Sequence, residues 1–357
     1  MGMNYLDKYV ENPFVKENEF LSRLPRITPL PSFETARHKL PQPEWANHPV
    51  AIECYWKVWE LAFANLKSPT SENGFVASYI DSAFNSHLFM WDSAFITFFG
   101  SYGRRAFNFQ QTLDNFYARQ HPDGFICREL VETDGRDLFH RFDPSSTGPN
   151  ILPWAEWSYF QMTGDPDRLA SVFAPLAGYH QWLRTYRTWP DGSYWANGWS
   201  CGMDNQPRLP EHLSPEFSHG HQSWIDTCLQ QIFSARVLGK LAKTLGRSAD
   251  IADLLDEADA LARLVNDKMW DDTSAFYYDR QPGGNRSTVK TIGAFWSLLA
   301  NIVPRRRLSR FVAHLENPKE FKRPHRVPSL SFDHALYQSD GGYWRGGVWP
   351  PTNYMIL

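Results

Sequence analysis

The sequence predicts an all-α fold built from helical hairpins, and three observations predict it. Apolar residues recur at helical spacing through most of the chain after residue 47. Strand signals are confined to short stretches such as AFYYDR at 275–280. Short and long connections alternate between successive helices. Because successive antiparallel helices place every second connection at the same end, the long loops should gather on one rim.

The first 47 residues differ in composition from the rest of the chain. The stretch RLPRITPLPSFETARHKLPQPEW is rich in proline and lacks helical spacing. Such a stretch predicts an extended arm that lies over the domain that follows it. We therefore divide the chain into an arm at 1–47 and a helical domain at 48–357.

Helical periodicity, together with start and stop signals, defines ten helices in this domain. Gly164 ends one helix, Asp165 and Pro166 begin the next, and Gly246 ends a later one. The predicted helices are 52–66, 92–100, 105–119, 150–162, 166–183, 222–245, 249–269, 288–302, 305–315 and a last one that begins at residue 350.

Composition and motifs exclude several classes of function. The chain has 36 Lys plus Arg and 39 Asp plus Glu, so no basic field for nucleic acid is present. No apolar run reaches the length of a membrane span and no secretory signal is visible, which predicts a soluble cytoplasmic protein. Four cysteines lie far apart; they could form one or two disulfides, but buried thiols are expected in a chain of this size. No cofactor or metal is expected, and the sequence does not indicate an oligomeric state.

The long loops carry tryptophan beside polar and charged residues. Aromatic rings stack on the C–H faces of a pyranose while polar groups bond its hydroxyls, so this combination predicts a pocket for a small carbohydrate. The candidate residues in the first, second and last of these loops are Trp91, Asp92, Arg119, Gln120, Glu129, Trp344, Arg345 and Trp349.

The stretch NGWSCGMDNQPR at 197–208 fits two kinds of catalyst. Its G-x-S-x-G pattern would make Ser200 a nucleophile, but that arrangement needs a strand before the serine and a helix directly after it. A Trp/Tyr-rich loop precedes Ser200, and Pro207 and Pro210 follow it. The context therefore favours Asp204 over Ser200 as the residue that does chemistry.

Five segments resemble glycoside hydrolase family 63, and they occur in the order found in that family. They are MWDSAF, PSSTGPNILPWAEWSYFQMTGD at 144–165, GMDNQPR, TVKTIGAFW at 288–296 and GGYWRGGVWPPTNYM. The family includes alpha-glucosidases and the mannosylglycerate and glucosylglycerate hydrolases, and it is related to trehalase. The resemblance covers about residues 50–357 and implies an (α/α)6 barrel, a toroid of six helical hairpins. It also implies inverting hydrolysis of an α-linked glucose or mannose.

The resemblance assigns roles to individual residues. Asp204 matches the general acid. Trp91, Asp92, Arg119, Trp344, Arg345 and Trp349 match positions around the sugar, and Gln120, Glu129, Trp199, Asn205 and Arg208 join them as predicted substrate-binding residues. The family's general base lies beyond the W-R-G-x-x-W-P segment, and this sequence ends at Leu357. We therefore expect the barrel to lack its last helices and the base to lie beyond Leu357.

An inverting glycosidase needs one carboxylic acid and one carboxylate on opposite faces of the sugar. Asp204 must then keep its proton near neutral pH, so Arg208 is expected to contact substrate or a neighbour rather than Asp204. Two other functions stay open. A sugar epimerase on the same toroid would need histidine bases, for which His140, His219 and His221 are candidates. The second open function is that of a protein that binds a sugar without catalysing a reaction.

Overall fold

The computed structural model describes residues 9–81 and 85–357, which divide into two compact units. Unit 1 comprises the described parts of Met1–Arg141 together with Ile151–Tyr179. Unit 2 comprises Phe142–Asn150 and His180–Leu357. The first eight residues of the predicted arm lie outside the described residues.

Five α-helices lie wholly within the described part of unit 1, together with two short antiparallel strand pairs. Helix α3 packs against α5, β1 pairs with β2, and β3 pairs with β4. The helices are α1 (Phe33–Ala36), α2 (Pro49–Ala64), α3 (Met90–Gly100), α4 (Asp114–Tyr117) and α5 (Leu152–Thr163). The strands are β1 (Leu66–Lys67), β2 (Tyr79–Ile80), β3 (His87–Phe89) and β4 (Glu129–Val131).

The described part of the arm forms two 3₁₀ turns, Pro13–Glu17 and Glu19–Ser22, before α1. Asn18 caps the second turn, and its amide Nδ2 also donates to the carbonyl oxygen of Tyr117 at 2.9 Å. Phe20 is buried against the ring of Tyr117, with 5.2 Å between the ring centroids. Asn18 and Phe20 therefore attach this segment to the end of α4.

Helix α6 (Pro166–Tyr186) runs from unit 1 into unit 2, and the helices α7 to α12 follow it. In unit 2, α8 packs against α9 and α10, and α10 packs against α12. The helices are α7 (Gly198–Cys201), α8 (Ile225–Leu245), α9 (Ala252–Leu264) with a π-helical turn at Val265–Met269, α10 (Trp296–Leu299), α11 (Arg305–Val312) with a 3₁₀ turn at Ala313–Glu316, and α12 (Pro350–Ile356). One strand pair joins β5 (Trp270–Asp271) to β6 (Phe276–Tyr277).

The predominantly helical fold is confirmed, and the strongest boundary signals act as expected. Gly164 and Gly246 end α5 and α8 in the left-handed conformation, with φ of 68° and 71°. The carboxylate of Asp165 accepts hydrogen bonds from the backbone N–H groups of Asp167 and Arg168, both at 3.1 Å. These contacts satisfy two of the donors that a helix start leaves free.

Two predicted helices are much shorter than their periodicity indicated. In place of 105–119 the chain forms a 3₁₀ turn at Phe109–Leu113 and the single-turn α4. In place of 288–302 it forms a 3₁₀ turn at Ile292–Phe295 and α10. Thr291 forms an isolated bridge with Leu330, so residues before 292 run extended beside another segment instead of continuing the helix. Tertiary pairing has overridden the local pattern here.

The structure also shows where the cysteine thiols lie and how the helices and the potential metal-ligating side chains are arranged. Cys127, Cys201 and Cys228 are buried thiols as predicted, whereas Cys54 is exposed on α2. Within 9–81 and 85–357, no helix is both long and apolar enough to cross a membrane. Those ranges also contain no group of three or more histidine, cysteine or acidic side chains placed to hold a metal ion.

Candidate active site

The segment 197–208, called the Asp204 loop here, begins with one turn of helix and then reverses. Asn197 accepts from the backbone N–H of Ser200 at 2.8 Å, and its own N–H donates to the Ser200 hydroxyl at 2.8 Å. This reciprocal capping starts α7, and Gly202 ends it with φ of 76°. Ser200 is buried with its hydroxyl in the cap, which agrees with the expectation that it is not a nucleophile. The reversal brings Asp204 to a partly exposed position.

A buried ion cluster anchors the far end of the Asp204 loop. Arg208 donates to both carboxylate oxygens of Asp279 at 2.8 and 2.6 Å and to both of Asp226 at 2.6 and 2.9 Å. All three side chains are fully buried. Burial lowers the pKa of Arg208, but the two carboxylates raise it more, so it ends well above its ordinary value. The guanidinium also lies 4.2 Å from the ring of Trp224.

Arg208 therefore differs from its predicted role as a substrate contact. Its Nη1 also donates weakly to Cys201 Sγ at 3.7 Å, so all five N–H groups have acceptors inside the protein. No donor is left for a sugar hydroxyl. Arg208 instead fixes the loop that carries Asp204, and its partners are neighbours, which was the other expectation for this residue.

The segment 341–349, called the Trp344 loop here, lies against Asp204. The hydroxyl of Tyr343 donates to Asp204 Oδ2 at 2.9 Å. Trp344 is buried and stacks on Trp349, with 4.7 Å between centroids and 20° between planes. The indole Nε1 of Trp349 donates to the carbonyl oxygen of Tyr343 at 3.0 Å. Tyr343 is half exposed and holds φ at 61°, a conformation that a bulky residue rarely adopts.

Asn205 joins the two loops through three hydrogen bonds. Its side-chain oxygen accepts from the backbone N–H of Trp344 at 2.9 Å, and its amide donates to the carbonyl of Gly342 at 3.1 Å. The guanidinium Nε of Arg345 donates to the carbonyl oxygen of Asn205 at 3.1 Å. Asn205 and Arg345 were both predicted to bind substrate. In the structure each makes a hydrogen bond that holds Asp204 beside the stacked rings of Trp344 and Trp349.

Trp199, also predicted to bind substrate, lies in the first turn of the Asp204 loop. It is partly buried, and its ring meets the exposed ring of Phe217 edge-on at 5.0 Å. Unit 2 thus brings together Asp204, Asn205, Trp344, Arg345 and Trp349 in one cluster, with Trp199 in the same loop as Asp204.

In unit 1, Trp91 and Asp92 occupy the first turn of α3, as predicted. Both are partly buried, and the ring of Trp91 meets Phe95 edge-on at 5.7 Å. Arg119 follows α4, is partly buried and donates from Nη2 to the carbonyl oxygen of Asn73. These three side chains keep part of their surface accessible to solvent.

Gln120 and Glu129 have partners inside unit 1 instead of the predicted sugar hydroxyl. The amide of Gln120 donates to the carbonyl oxygens of Gly124 and Pro175 at 3.0 and 2.8 Å and accepts from Asn18 at 2.9 Å. That uses both of its N–H groups. Glu129 is buried in β4, where one carboxylate oxygen lies 2.6 Å from His87 Nδ1 and the other 3.1 Å from Arg128. Gln120 and Glu129 therefore stabilise the fold of unit 1.

Three residues of the site were not predicted. Tyr343 stands inside the GGYWRGG segment, in which only the tryptophan and the arginine were predicted to contact the sugar. Asp226 and Asp279 gave no sequence signal beyond an acid in the first turn of α8 and an acid after β6. A buried arginine needs carboxylate partners, so Arg208 itself was the signal in the sequence that two such carboxylates exist.

Comparison with known proteins shows to which family the chain belongs. Residues 85–357 match the mannosylglycerate hydrolase MGH1-like glycoside hydrolase domain. The chain belongs to this family. The glycoside hydrolase domain thus includes the Asp204 loop, the Trp344 loop and the residues of α3, and the resemblance to glycoside hydrolase family 63 is confirmed.

Relatives and solved structures agree with this assignment. The chain is 25% identical over 338 residues to a mannosylglycerate hydrolase of Thermus thermophilus, covering 76% of this chain and 80% of the relative. It is 24% identical to an uncharacterized protein of Borreliella burgdorferi and spans about half of that relative's length, 53%. The crystal structure of a GH63 mannosylglycerate hydrolase from Thermus thermophilus in complex with glucose superposes with a TM-score of 0.64 at 22% identity, covering 84% of each chain. The domain therefore shares that helical fold, while closure of six hairpins into a complete barrel stays a prediction.

Proposed function

We propose that this chain is an inverting glycoside hydrolase that releases an α-linked glucose or mannose from a small glycoside, with Asp204 as the general acid. One observation carries the proposal. Asp204 is a partly exposed carboxyl in a loop fixed by a buried ion cluster, and it faces the hydroxyl of Tyr343 beside a stacked tryptophan pair. A positioned carboxyl next to flat aromatic rings is what protonation of a bound sugar requires.

In the proposed reaction Asp204 donates its proton to the oxygen that leaves the anomeric carbon. A second carboxylate removes a proton from a water molecule on the opposite sugar face, and that water forms the new C–O bond. The two carboxyl groups stand roughly 6.5–9.5 Å apart in such enzymes, which leaves room for the water. The Tyr343 hydroxyl holds Oδ2 of Asp204, so that the orientation of the carboxyl is set before the sugar binds.

The substrate class rests on chemistry and on the relatives. Trp349 offers a partly exposed apolar ring that stacks on the buried ring of Trp344, and Trp199 adds a partly buried ring in the Asp204 loop. The Thermus relative is named a mannosylglycerate hydrolase. These features support an α-linked hexose with a small aglycone as the substrate.

The stereochemical outcome tests the mechanism. The longest natural form of the protein that contains residues 1–357 is incubated with α-linked disaccharides and with glucosyl- and mannosylglycerate, and proton NMR follows the anomeric signals from the earliest times. Inversion requires that the β-anomer of the free sugar appears before mutarotation. If the α-anomer appears first, a nucleophile must lie about 5–5.5 Å from the acid and the proposal fails. An epimerase would alter free sugars only, and a binding protein would leave every substrate unchanged.

A further inference from the structure

Among the residues that the structure describes, Arg119 in unit 1 is a partly buried cation that lacks an anionic partner. Within the described ranges, its one hydrogen bond runs from Nη2 to the carbonyl oxygen of Asn73, and it forms no ion pair. Other partly buried or buried arginines of the same unit do have carboxylate partners, for example Arg168 with Glu156 at 2.7 Å. A guanidinium removed from water normally gains a carboxylate or another anion in exchange.

Two glycine turns hold this guanidinium in place. Gly74 and Gly135 both adopt the left-handed conformation, with φ of 55° and 68°. A Cβ atom at Gly74 would lie 3.0 Å from Arg119 Nη2, and one at Gly135 would lie 2.6 Å from it. The close approach of both backbones fixes the position of the charged group, which lowers the entropy cost of binding a ligand there.

An open surface pocket of about 360 Å³ lies at this guanidinium. Arg119, His121, Gly135, Arg136 and Asp137 contribute to its lining. The carboxylate of Asp137 already bonds to His121 Nε2 at 2.6 Å, and the other ring nitrogen of His121 lies 2.9 Å from the hydroxyl of Tyr9. The pocket lining thus contains two guanidinium groups and one carboxylate, and that carboxylate is already hydrogen-bonded to His121.

A second guanidinium in the lining is partly neutralised. Arg136 pairs with Asp134 through Nε and Oδ2 at 3.0 Å, and both side chains are exposed. An exposed ion pair of this kind contributes little to the stability of the protein, so Arg136 can leave Asp134 at little cost. Arg136 can therefore turn toward a ligand that Arg119 has captured, while Arg119 supplies the fixed contact.

We propose that this pocket of unit 1 binds a small oxyanion, a carboxylate or a phosphate group, through the guanidinium of Arg119. Arginine presents parallel N–H groups that match two oxygens of either anion. The site is defined by a charge, a pocket and two glycines in unit 1 alone, and it gives Arg119 an oxyanion ligand in place of the sugar contact that the resemblance assigns to it.

Isothermal titration of the full chain with inorganic phosphate, and separately with acetate, tests the proposal. Wild-type protein should bind at least one of the two anions in the millimolar range, and the tighter one identifies the ligand class. Arg119→Gln should weaken that binding about tenfold or more, since it removes hydrogen bonds to a charged group. Asp137→Asn should strengthen it, because a repelling carboxylate is lost. The matched control Arg105→Gln, at an exposed arginine of the same unit, should bind as the wild type does.

A second measurement uses the wild-type protein and does not depend on whether a variant folds. Phenylglyoxal modifies accessible arginines, and mass mapping of the modified peptides shows which ones the anion protects. Phosphate or acetate should protect Arg119 and leave Arg105 unprotected. Absence of binding by both anions, equal protection of Arg105 and Arg119, or unchanged binding by folded Arg119→Gln protein would each overturn the proposal.

Discussion

The hydroxyl of Tyr343 donates a 2.9 Å hydrogen bond to Oδ2 of Asp204, although 139 positions separate the two residues in the chain. Around this bond, Asn205 bonds to the backbone of Gly342 and Trp344, and Arg345 bonds back to Asn205. The Asp204 loop and the Trp344 loop therefore form one connected unit, in which the orientation of a single carboxyl depends on both.

Replacing Asp204, the proposed acid, with asparagine removes the acidic proton but keeps the size and shape of the side chain. Asp204→Asn should lower turnover by several orders of magnitude while a competing sugar still binds, because the asparagine amide cannot protonate a leaving oxygen. Steady-state kinetics and a sugar titration on the same protein separate the two effects. The matched control is Asp340→Asn, an exposed aspartate beside the Trp344 loop, which should retain turnover. Turnover near the wild-type value in Asp204→Asn would remove Asp204 from the mechanism.

Tyr343 is expected to act through Asp204 by orienting it. Tyr343→Phe deletes the hydroxyl and keeps the ring packed on Trp349, so kcat should fall about tenfold or more while KM changes little. Tyr102→Phe, at an exposed tyrosine of unit 1, should leave both constants unchanged. A large rise of KM with unchanged kcat would mean that Tyr343 binds the sugar equally in the ground state and in the transition state, and that it does not position the acid.

The buried ion cluster should contribute mainly to stability. Arg208→Met leaves Asp226 and Asp279 buried without a cation, which should lower the free energy of unfolding by about 3–5 kcal/mol. Urea denaturation followed by circular dichroism measures the loss, with Arg306→Met on the exposed face of α11 as the control. A loss of less than about 1 kcal/mol would show that the carboxylates regain water or protons, contrary to their burial.

A second cluster in unit 2 should respond to acid. Burial raises the pKa of Glu320, but hydrogen bonds from His314 and Lys290 lower it more, to about 2. A carboxyl whose pKa is depressed in the folded state stabilises the protein above its unfolded pKa, and this contribution is lost as the pH falls through the folded value. The stability difference between wild-type protein and Glu320→Gln should therefore be constant above about pH 4.5 and shrink below it. Thermal melting of both proteins from neutral pH to about pH 3 measures it, and a difference that does not change with pH would contradict the assignment.

The sequence predicted those parts of the fold that depend on local signals. Gly164, Asp165 and Gly246 set helix ends because backbone conformation and capping are properties of a few adjacent residues. The helices predicted at 105–119 and 288–302 were too long because their residues pair with distant segments, as Thr291 does with Leu330. Helical spacing carries no information about such partners.

The same distinction applies to the candidate site. Motif order singled out the loops of Asp204 and Trp344, and the structure joins these two loops by hydrogen bonds. The roles of Gln120, Glu129 and Arg208 could not be read from residue type, because a polar side chain suits a ligand and an internal partner equally well. The positions of the partners decide between the two: Asp226 and Asp279 for Arg208, backbone carbonyls for Gln120, and His87 and Arg128 for Glu129.

The distance along the chain between Asp204 and Tyr343 also orders the assembly of the site during protein synthesis. Arg208 meets its two carboxylate partners once residues 226 and 279 have been made, so the Asp204 loop can be anchored early. Tyr343 enters the chain 139 residues after Asp204, roughly 7 to 28 seconds later at ordinary translation rates. A nascent chain therefore carries the carboxyl well before the hydroxyl that orients it, and the site matures only after the Trp344 loop has left the ribosome.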